Sequence, residues 1–115
     1  MLFRSKLADM LTKQSRQGDF VCRYGGEEFV LVMPNISIAV ATDRANSLLR
    51  SISSLFVPFG RFSLSITVSM GISIFPAHGD TKEELLRKAD KALYEAKRAG
   101  RNHISVYKET KKKEE

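Results

Sequence analysis

One cysteine, two histidines and three prolines are all that the 115 residues hold of these types, and no apolar run approaches the length of a membrane span. Each scarcity removes a class of protein. A lone thiol excludes an intramolecular disulfide. Cys22 sits in the apolar stretch Phe20-Val21-Cys22, so a small buried hydrophobe is expected there rather than a nucleophile. His78, in the turn Pro76-Ala77-His78-Gly79, and His103 have no Cys or His partner at metal-ligand spacing, which leaves both as structural residues. With no span-length run and no secretory pattern at the start, a cytoplasmic segment without membrane contact is expected. Acidic residues are also in short supply: 13 Asp and Glu face 19 Lys and Arg, for a formal charge of +6. The tail Lys108–Glu115 carries four lysines and three glutamates, so it supplies +1 and the body +5. A basic body suits an anionic partner, with a nucleoside triphosphate and a nucleic acid as the two candidates. Residues 1–107 suffice for one domain with a modest core, and the tail 108–115 is expected to be disordered.

What is present is concentrated in Tyr24-Gly25-Gly26-Glu27-Glu28-Phe29. Two glycines let a backbone approach a phosphate with no Cβ in the way. Two adjacent carboxylates offer hard oxygen ligands for Mg2+ or Mn2+. The apolar run Phe29-Val30-Leu31-Val32-Met33 follows at once, which puts the pair at the mouth of a strand. Gly-Gly is equally a hairpin turn, and paired glutamates beside a turn are commonly just solvated. The full Gly-Gly-acid-Glu-Phe string is rarer, arising by chance in roughly one chain of this length in several thousand.

Around this motif the periodicities are clear. Met1–Gln17 reads as a helix ended by Gly18. Asp19–Tyr24 and Glu28–Met33 read as strands about the Gly-Gly turn. A helix from about Ser37 to Leu55 carries Ala41, Ala45, Leu48, Leu49 and Ile52 on one face. Pro58–Arg61 is a turn. From Leu64 to Ile74 apolar residues alternate with Ser, Thr and Gly, which predicts one strand with a single apolar face. Thr81-Lys82-Glu83-Glu84 is a capping box opening a last helix with the stripe Leu85, Ala89, Leu93 and Ala96, and Gly100 marks its end. Arg101–Tyr107 closes the chain as a strand. The class is α+β, a sheet with helices packed on it.

These motifs together resemble the GGDEF domain, the bacterial diguanylate cyclase module, in its Gly-Gly-Glu-Glu-Phe form. Ser69-Met70-Gly71 late in the alternating strand, Ala89-Asp90 through Ala92-Leu93-Tyr94 to Ala96-Lys97, and Gly100-Arg101-Asn102 follow the family's order from about Leu7 to Tyr107. The resemblance implies a palm-like, ferredoxin-like sheet. It also implies an enzyme that joins two GTP molecules into cyclic di-GMP, with two such domains meeting face to face as a homodimer and a sensor or receiver domain elsewhere in the parent protein. Gly25 and Gly26 would pass beneath the nucleotide. Glu27 would ligate the metal and help deprotonate the 3′-hydroxyl, Glu28 would support the metal or orient the nucleotide, and Lys97 and Arg101 would hold phosphates. Read without the family, Lys97 and Arg101 are cations at a helix C-terminus, favoured by the dipole. Arg16-Gln17-Gly18-Asp19 resembles the family's inhibitory product site, where Arg16 and Asp19 would hold cyclic di-GMP; read alone it is a local surface ion pair. Arg44 and Arg50 are both open as a supporting arginine from the next helix.

The front of the chain departs from the family. An Asp-x-Asp-x-Phe-Lys-like motif, carrying a metal aspartate and followed by guanine-reading Asn and Asp, is absent, so the chain is expected to be a truncated domain, catalytically incomplete as an isolated monomer. A non-catalytic cyclic di-GMP receptor built on Arg16 and Asp19 is the alternative. RNA is not expected, because the strands lack the aromatic stacking pattern of RNA-recognition sheets.

Overall fold

The computed structural model describes residues 2–25 and 28–109, and these form three helices and six strands divided between two compact units, Met1–Thr67 and Val68–Glu115. The composition is α+β, as the alternating periods require.

In the first unit, helix α1 (Leu2–Gln14) stops three residues short of the expected end. Ser15 closes it, donating its N–H to the Thr12 carbonyl at 3.3 Å and its hydroxyl to the Leu11 carbonyl at 2.7 Å. Gly18, at φ 93°, then turns the chain into β1 (Phe20–Gly25), which pairs antiparallel with β2 (Glu28–Val32). Ser37 caps α2 (Ile38–Ser53) by accepting from the Val40 N–H at 3.2 Å. The α2 stripe is buried as its spacing dictates, at Ala41, Ala45, Leu48 and Ile52, while Leu49 is half-buried. Leu11 of α1 is buried too, and α1 touches both α2 and β1.

Cys22 corrects the sequence reading. It is exposed, not buried. The run Phe20-Val21-Cys22 is apolar throughout, but a strand sends alternate side chains to opposite faces. Val21 and its partner Leu31 are half-buried, whereas Phe20 (62% exposed), its partner Val32 (46%) and Cys22 share the open face.

The expected strand from Leu64 to Ile74 is divided. Its beginning lies in β4 (Phe62–Ser65), which pairs antiparallel with β3 (Phe56–Phe59) around Gly60-Arg61. Gly60, at φ 60°, supplies the positive φ that two-residue hairpins place on glycine. The later part is β5 (Met70–Ile72), which pairs parallel with β6 (Ile104–Val106). Alternation records extended backbone with one apolar face; it carries no information on which strand supplies the hydrogen bonds. In place of one expected sheet, the described strands form three two-stranded ladders.

The second unit is a β5-α3-β6 crossover, with α3 (Lys82–Arg98) packed on both strands. Gly71 is what lets β5 lie so close to the helix. A Cβ there would collide with the backbone at Ala89 and Leu93, passing 2.8 Å from the Leu93 Cα. The capping box forms with one adjustment: Thr81 Oγ1 accepts from the Glu84 N–H at 3.1 Å, and Glu84 Oε1 reaches back to the N–H of Asp80 at 2.9 Å rather than to that of Thr81. His78 is structural as expected. Its Nδ1 accepts from the Ile74 N–H at 2.8 Å, and its ring meets Tyr107 edge-on at 5.3 Å.

Candidate functional site

At the hairpin mouth Gly25 stands opposite Glu28, and the register slips between Arg23 and Gly25. Such a bulge bends and re-aims the end of a strand. Glu28 is exposed and Phe29, next along β2, is half-buried, so strand alternation puts the carboxylate on the solvent side. Gly26 and Glu27, the substrate and metal candidates between them, lie outside the described residues. Among the described residues no three His, Cys, Asp or Glu side chains come together as a metal-holding group.

The Arg-x-x-Asp stretch is a built structure rather than a loose surface pair. Asp19 donates its N–H to the Arg16 carbonyl at 3.0 Å, and the Arg16 N–H donates to Asp19 Oδ2 at 2.9 Å. The ion pair predicted between Arg16 and Asp19 is replaced by one from α2: Arg44 Nη2 lies 2.7 Å from the same Oδ2 and also contacts the Gln14 carbonyl at 3.4 Å. The Asp19 side chain is only 2% exposed and that of Arg44 17%. The Arg44 hydrogen bond, helped by the Arg16 N–H, holds the Asp19 carboxyl below the usual carboxylate range against the opposing effect of burial. Arg44 Nη1 is buried without a hydrogen-bond partner among the described residues. A cleft of about 180 Å³ runs beside it, lined by Gln14, Asp43, Arg44, Ser47 and Leu48. Arg50 instead donates to Ser47 Oγ at 3.3 Å. Of the two arginines left open by the sequence, Arg44 is the one that joins Asp19.

In the second unit, Lys97 and Arg101 lie on either side of the end of α3. Gly100 donates its N–H to the Lys97 carbonyl and Arg101 donates to the Ala96 carbonyl, both at 3.3 Å, which is the paired closure of a Schellman cap. Both side chains are exposed, and neither has an ion-pair partner among the described residues, whereas Arg98 between them pairs with Glu95 at 3.8 Å. Both cations complement the negative end of the helix dipole and leave the surface there positively charged.

Asn102, named in the sequence only within the Gly100-Arg101-Asn102 pattern, holds a left-handed φ of 52°. Sequence reasoning missed Lys88. Lys88, on the α3 stripe, is buried beside Tyr107, with its Nζ 5.2 Å from the ring centre and 3.5 Å from Glu109. A lysine on a helix reads as solvent-facing, and no local pattern reveals that the residues after β6 cover it.

Compared with known proteins, residues 3–103 match the family model described as "Diguanylate cyclase, GGDEF domain". Response regulator PleD of Caulobacter vibrioides is 42% identical over 96 residues, which cover 82% of this chain and 21% of that protein. Diguanylate cyclase VdcA of Vibrio cholerae is 42% identical over 101 residues, covering 85% of this chain and 30% of the relative. The chain thus spans between a fifth and a third of these two relatives. Among solved structures, the Pseudomonas aeruginosa diguanylate cyclase SiaD in complex with its activator SiaC superposes with a TM-score of 0.84 at 31% identity, covering 90% of this chain and 40% of that one. The GGDEF domain of PA1120 from the same species gives 0.81 at 33% identity, covering 91% and 66%.

Proposed function

The chain belongs to the GGDEF diguanylate cyclase family, and on that premise we propose that it is a module for condensing two GTP molecules into cyclic di-GMP in bacterial second-messenger signalling. The observation that carries the reading is the pairing of Gly25 with Glu28 at the mouth of the signature hairpin, inside a family match that also takes in Lys97 and Arg101, exposed cations without an ion-pair partner among the described residues. Each 3′-hydroxyl attacks the α-phosphate of the other nucleotide, and pyrophosphate leaves. The protein's share is alignment and charge stabilisation. Gly25 and Gly26, having no Cβ, would leave room for the nucleotide. Lys97 and Arg101 take the phosphates. Glu27 and Glu28 would supply carboxylates to a divalent cation and to the attacking hydroxyl. Glu27 and Glu28 would hold Mg2+ or Mn2+, which would supply positive charge to the phosphates and acidify the attacking hydroxyl. Glu28, exposed at the hairpin mouth, would offer one carboxylate to such an ion, and Mg2+ keeps several waters and draws further ligands from substrate phosphates. The reaction needs a second copy of the domain bearing the second GTP, and in the parent protein a sensor or receiver domain would control their meeting.

The test is product formation. The parent protein carrying this segment, given GTP and Mg2+, is expected to make cyclic di-GMP and to lose that activity on Glu27→Gln. No product from the intact parent overturns the enzyme reading.

One observation favours a second reading, a cyclic di-GMP receptor: Arg44 supplies a buried guanidinium nitrogen, unpartnered among the described residues, beside the Arg16–Asp19 turn. Calorimetry with cyclic di-GMP is expected to show binding to the chain and weaker binding to Arg16→Ala. Equal affinity removes the site.

A further inference from the structure

Three described residues other than glycine hold a positive φ, and two of them, Arg101 at 62° and Asn102 at 52°, are consecutive. The third, Asn35 at 52°, follows Pro34 in the turn after β2, where a left-handed asparagine is ordinary. At the end of α3 the helix is already closed by Gly100, at φ 117°, whose N–H and that of Arg101 satisfy the Lys97 and Ala96 carbonyls. A Schellman cap asks for one left-handed residue. The two that follow are surplus to it. Left-handed backbone crowds the Cβ of any L residue. Asparagine takes it far more readily than most residues, and arginine does not.

The loop is anchored at both ends. At one end the Arg101 N–H is bound to Ala96; at the other the His103 carbonyl accepts from the Met70 N–H of β5 at 2.9 Å. The Asn102 amide makes no hydrogen bond among the described residues, and its side chain is exposed, so it holds nothing in place by contact. What the position selects is a backbone conformation, and its two chain neighbours are Arg101 and His103, the latter already fixed by Met70. Backbone held in a sparsely populated region beyond what local closure needs is a mark of function.

We propose that Asn102 is a positioning residue: by tolerating left-handed backbone it keeps Arg101 in the one conformation that presents its guanidinium, alongside Lys97, to the phosphates of the nucleotide. The proposal rests on the assignment of Arg101 as a phosphate-binding residue. Asn102 touches no substrate and acts only through Arg101.

The experiment is titration calorimetry of the full chain with GTP and Mg2+, on the wild type, Arg101→Ala, Asn102→Gly, Asn102→Val and the double variant Arg101→Ala/Asn102→Val. Valine lowers the fraction of chains with Arg101 in its binding conformation, and Kd rises by the inverse of that fraction, about fivefold or more for the left-handed penalty. Glycine, which takes the conformation freely, is expected to stay within about twofold of wild type. In the Arg101→Ala background the valine is expected to do nothing further, because the two residues form one unit in a double-mutant cycle. Wild-type affinity in Asn102→Val overturns the proposal. So does a loss in Asn102→Gly equal to that in Asn102→Val, which would mean that the amide itself binds, and so does an undiminished valine effect without Arg101. Failure of the wild type to bind GTP, or wild-type affinity in Arg101→Ala, sinks the underlying phosphate assignment and the proposal with it. Should Asn102→Val not fold, Asn102→Ala probes the same backbone preference with a smaller side chain.

Discussion

Asp19 shows how far a local motif can be read before the fold is needed. Arg16-x-x-Asp19 is visible in the sequence, but it read alone as a local ion pair and not as the reciprocal turn that the fold shows, in which the Asp side chain bonds a backbone N–H three residues away. Arg44 was not visible as the partner, since it lies 25 residues on and Arg50 was an equal candidate. Removing the carboxylate leaves a shielded guanidinium without its counter-charge. Asp19→Ala is therefore expected to destabilise the chain by about 1.5–3 kcal/mol, the range for a hydrogen bond to a charged group, measured as a lower urea midpoint. The pH dependence has a definite sign. The folded-state carboxyl titrates below its unfolded value of about 3.9, so this stabilisation is fully present above that value and is lost as pH falls through the lower folded-state value. Urea midpoints taken from about pH 5 down to pH 2 should fall more steeply for wild type than for Asp19→Asn, and parallel curves would contradict the pairing. Cys22 is the opposite lesson. Residue type suggested burial, but alternation within β1 decided against it. A thiol reagent should modify Cys22 in the native chain without unfolding, and Cys22→Ser should change stability by less than about 0.5 kcal/mol, as an exposed substitution does.

Among the elements, the helices were the most legible because their signals are redundant. For α3, the capping box, a spaced apolar stripe and a terminal glycine agree on nearly the same span; the structure differs in which N–H Glu84 reaches and in burying Lys88, Ala92 and Ala96 while Leu85, Ala89 and Leu93 are half-buried. The strands were legible as extended backbone but not in their partnership. Leu64–Ile74 reads as one element because period-2 alternation runs through both β4 and β5, although the ladder partner changes from β3 to β6. Gly71 had a sequence signal, its place after Ser69-Met70, but its physical reason appears only in the crossover, where the backbone of α3 occupies the space a side chain would need. Because the obstruction at Ala89 and Leu93 is backbone, it cannot swing aside as a side chain would. Gly71→Ala must then push α3 off β5, with an expected loss of about 3 kcal/mol or more, at the upper end of overpacking effects. Chemical denaturation checks this. A variant as stable as wild type would mean that the helix and strand are not packed as described.

For the molecule as a whole, composition narrowed the partner to an anion, and the order of motifs named the family, but neither revealed that the described chain divides at Thr67 into two compact units. Motif order survives because it is a property of sequence, while the division depends on contacts between residues far apart in the chain. The net charge of +6 makes a last discrimination possible, between one bound nucleotide and a nucleic acid. Both attract a basic protein, and both weaken as salt screens the attraction. They differ in how the weakening accumulates. A nucleoside triphosphate would present its charges to a few groups, on the proposed assignment Lys97 and Arg101. A single-stranded nucleic acid engaging Z cations loses affinity with a slope of about −0.7Z in log Kobs against log salt. If GTP is the ligand, its affinity should fall gently with salt, and Lys97→Met or Arg101→Ala should abolish most of that dependence, because the charges that feel the nucleotide are few and specific. If single-stranded RNA bound more tightly than GTP with a steep slope, and neither substitution changed it, the binding charge would be spread over the body of the protein. A nucleotide site at the end of α3 would then be the wrong account of why this chain is basic.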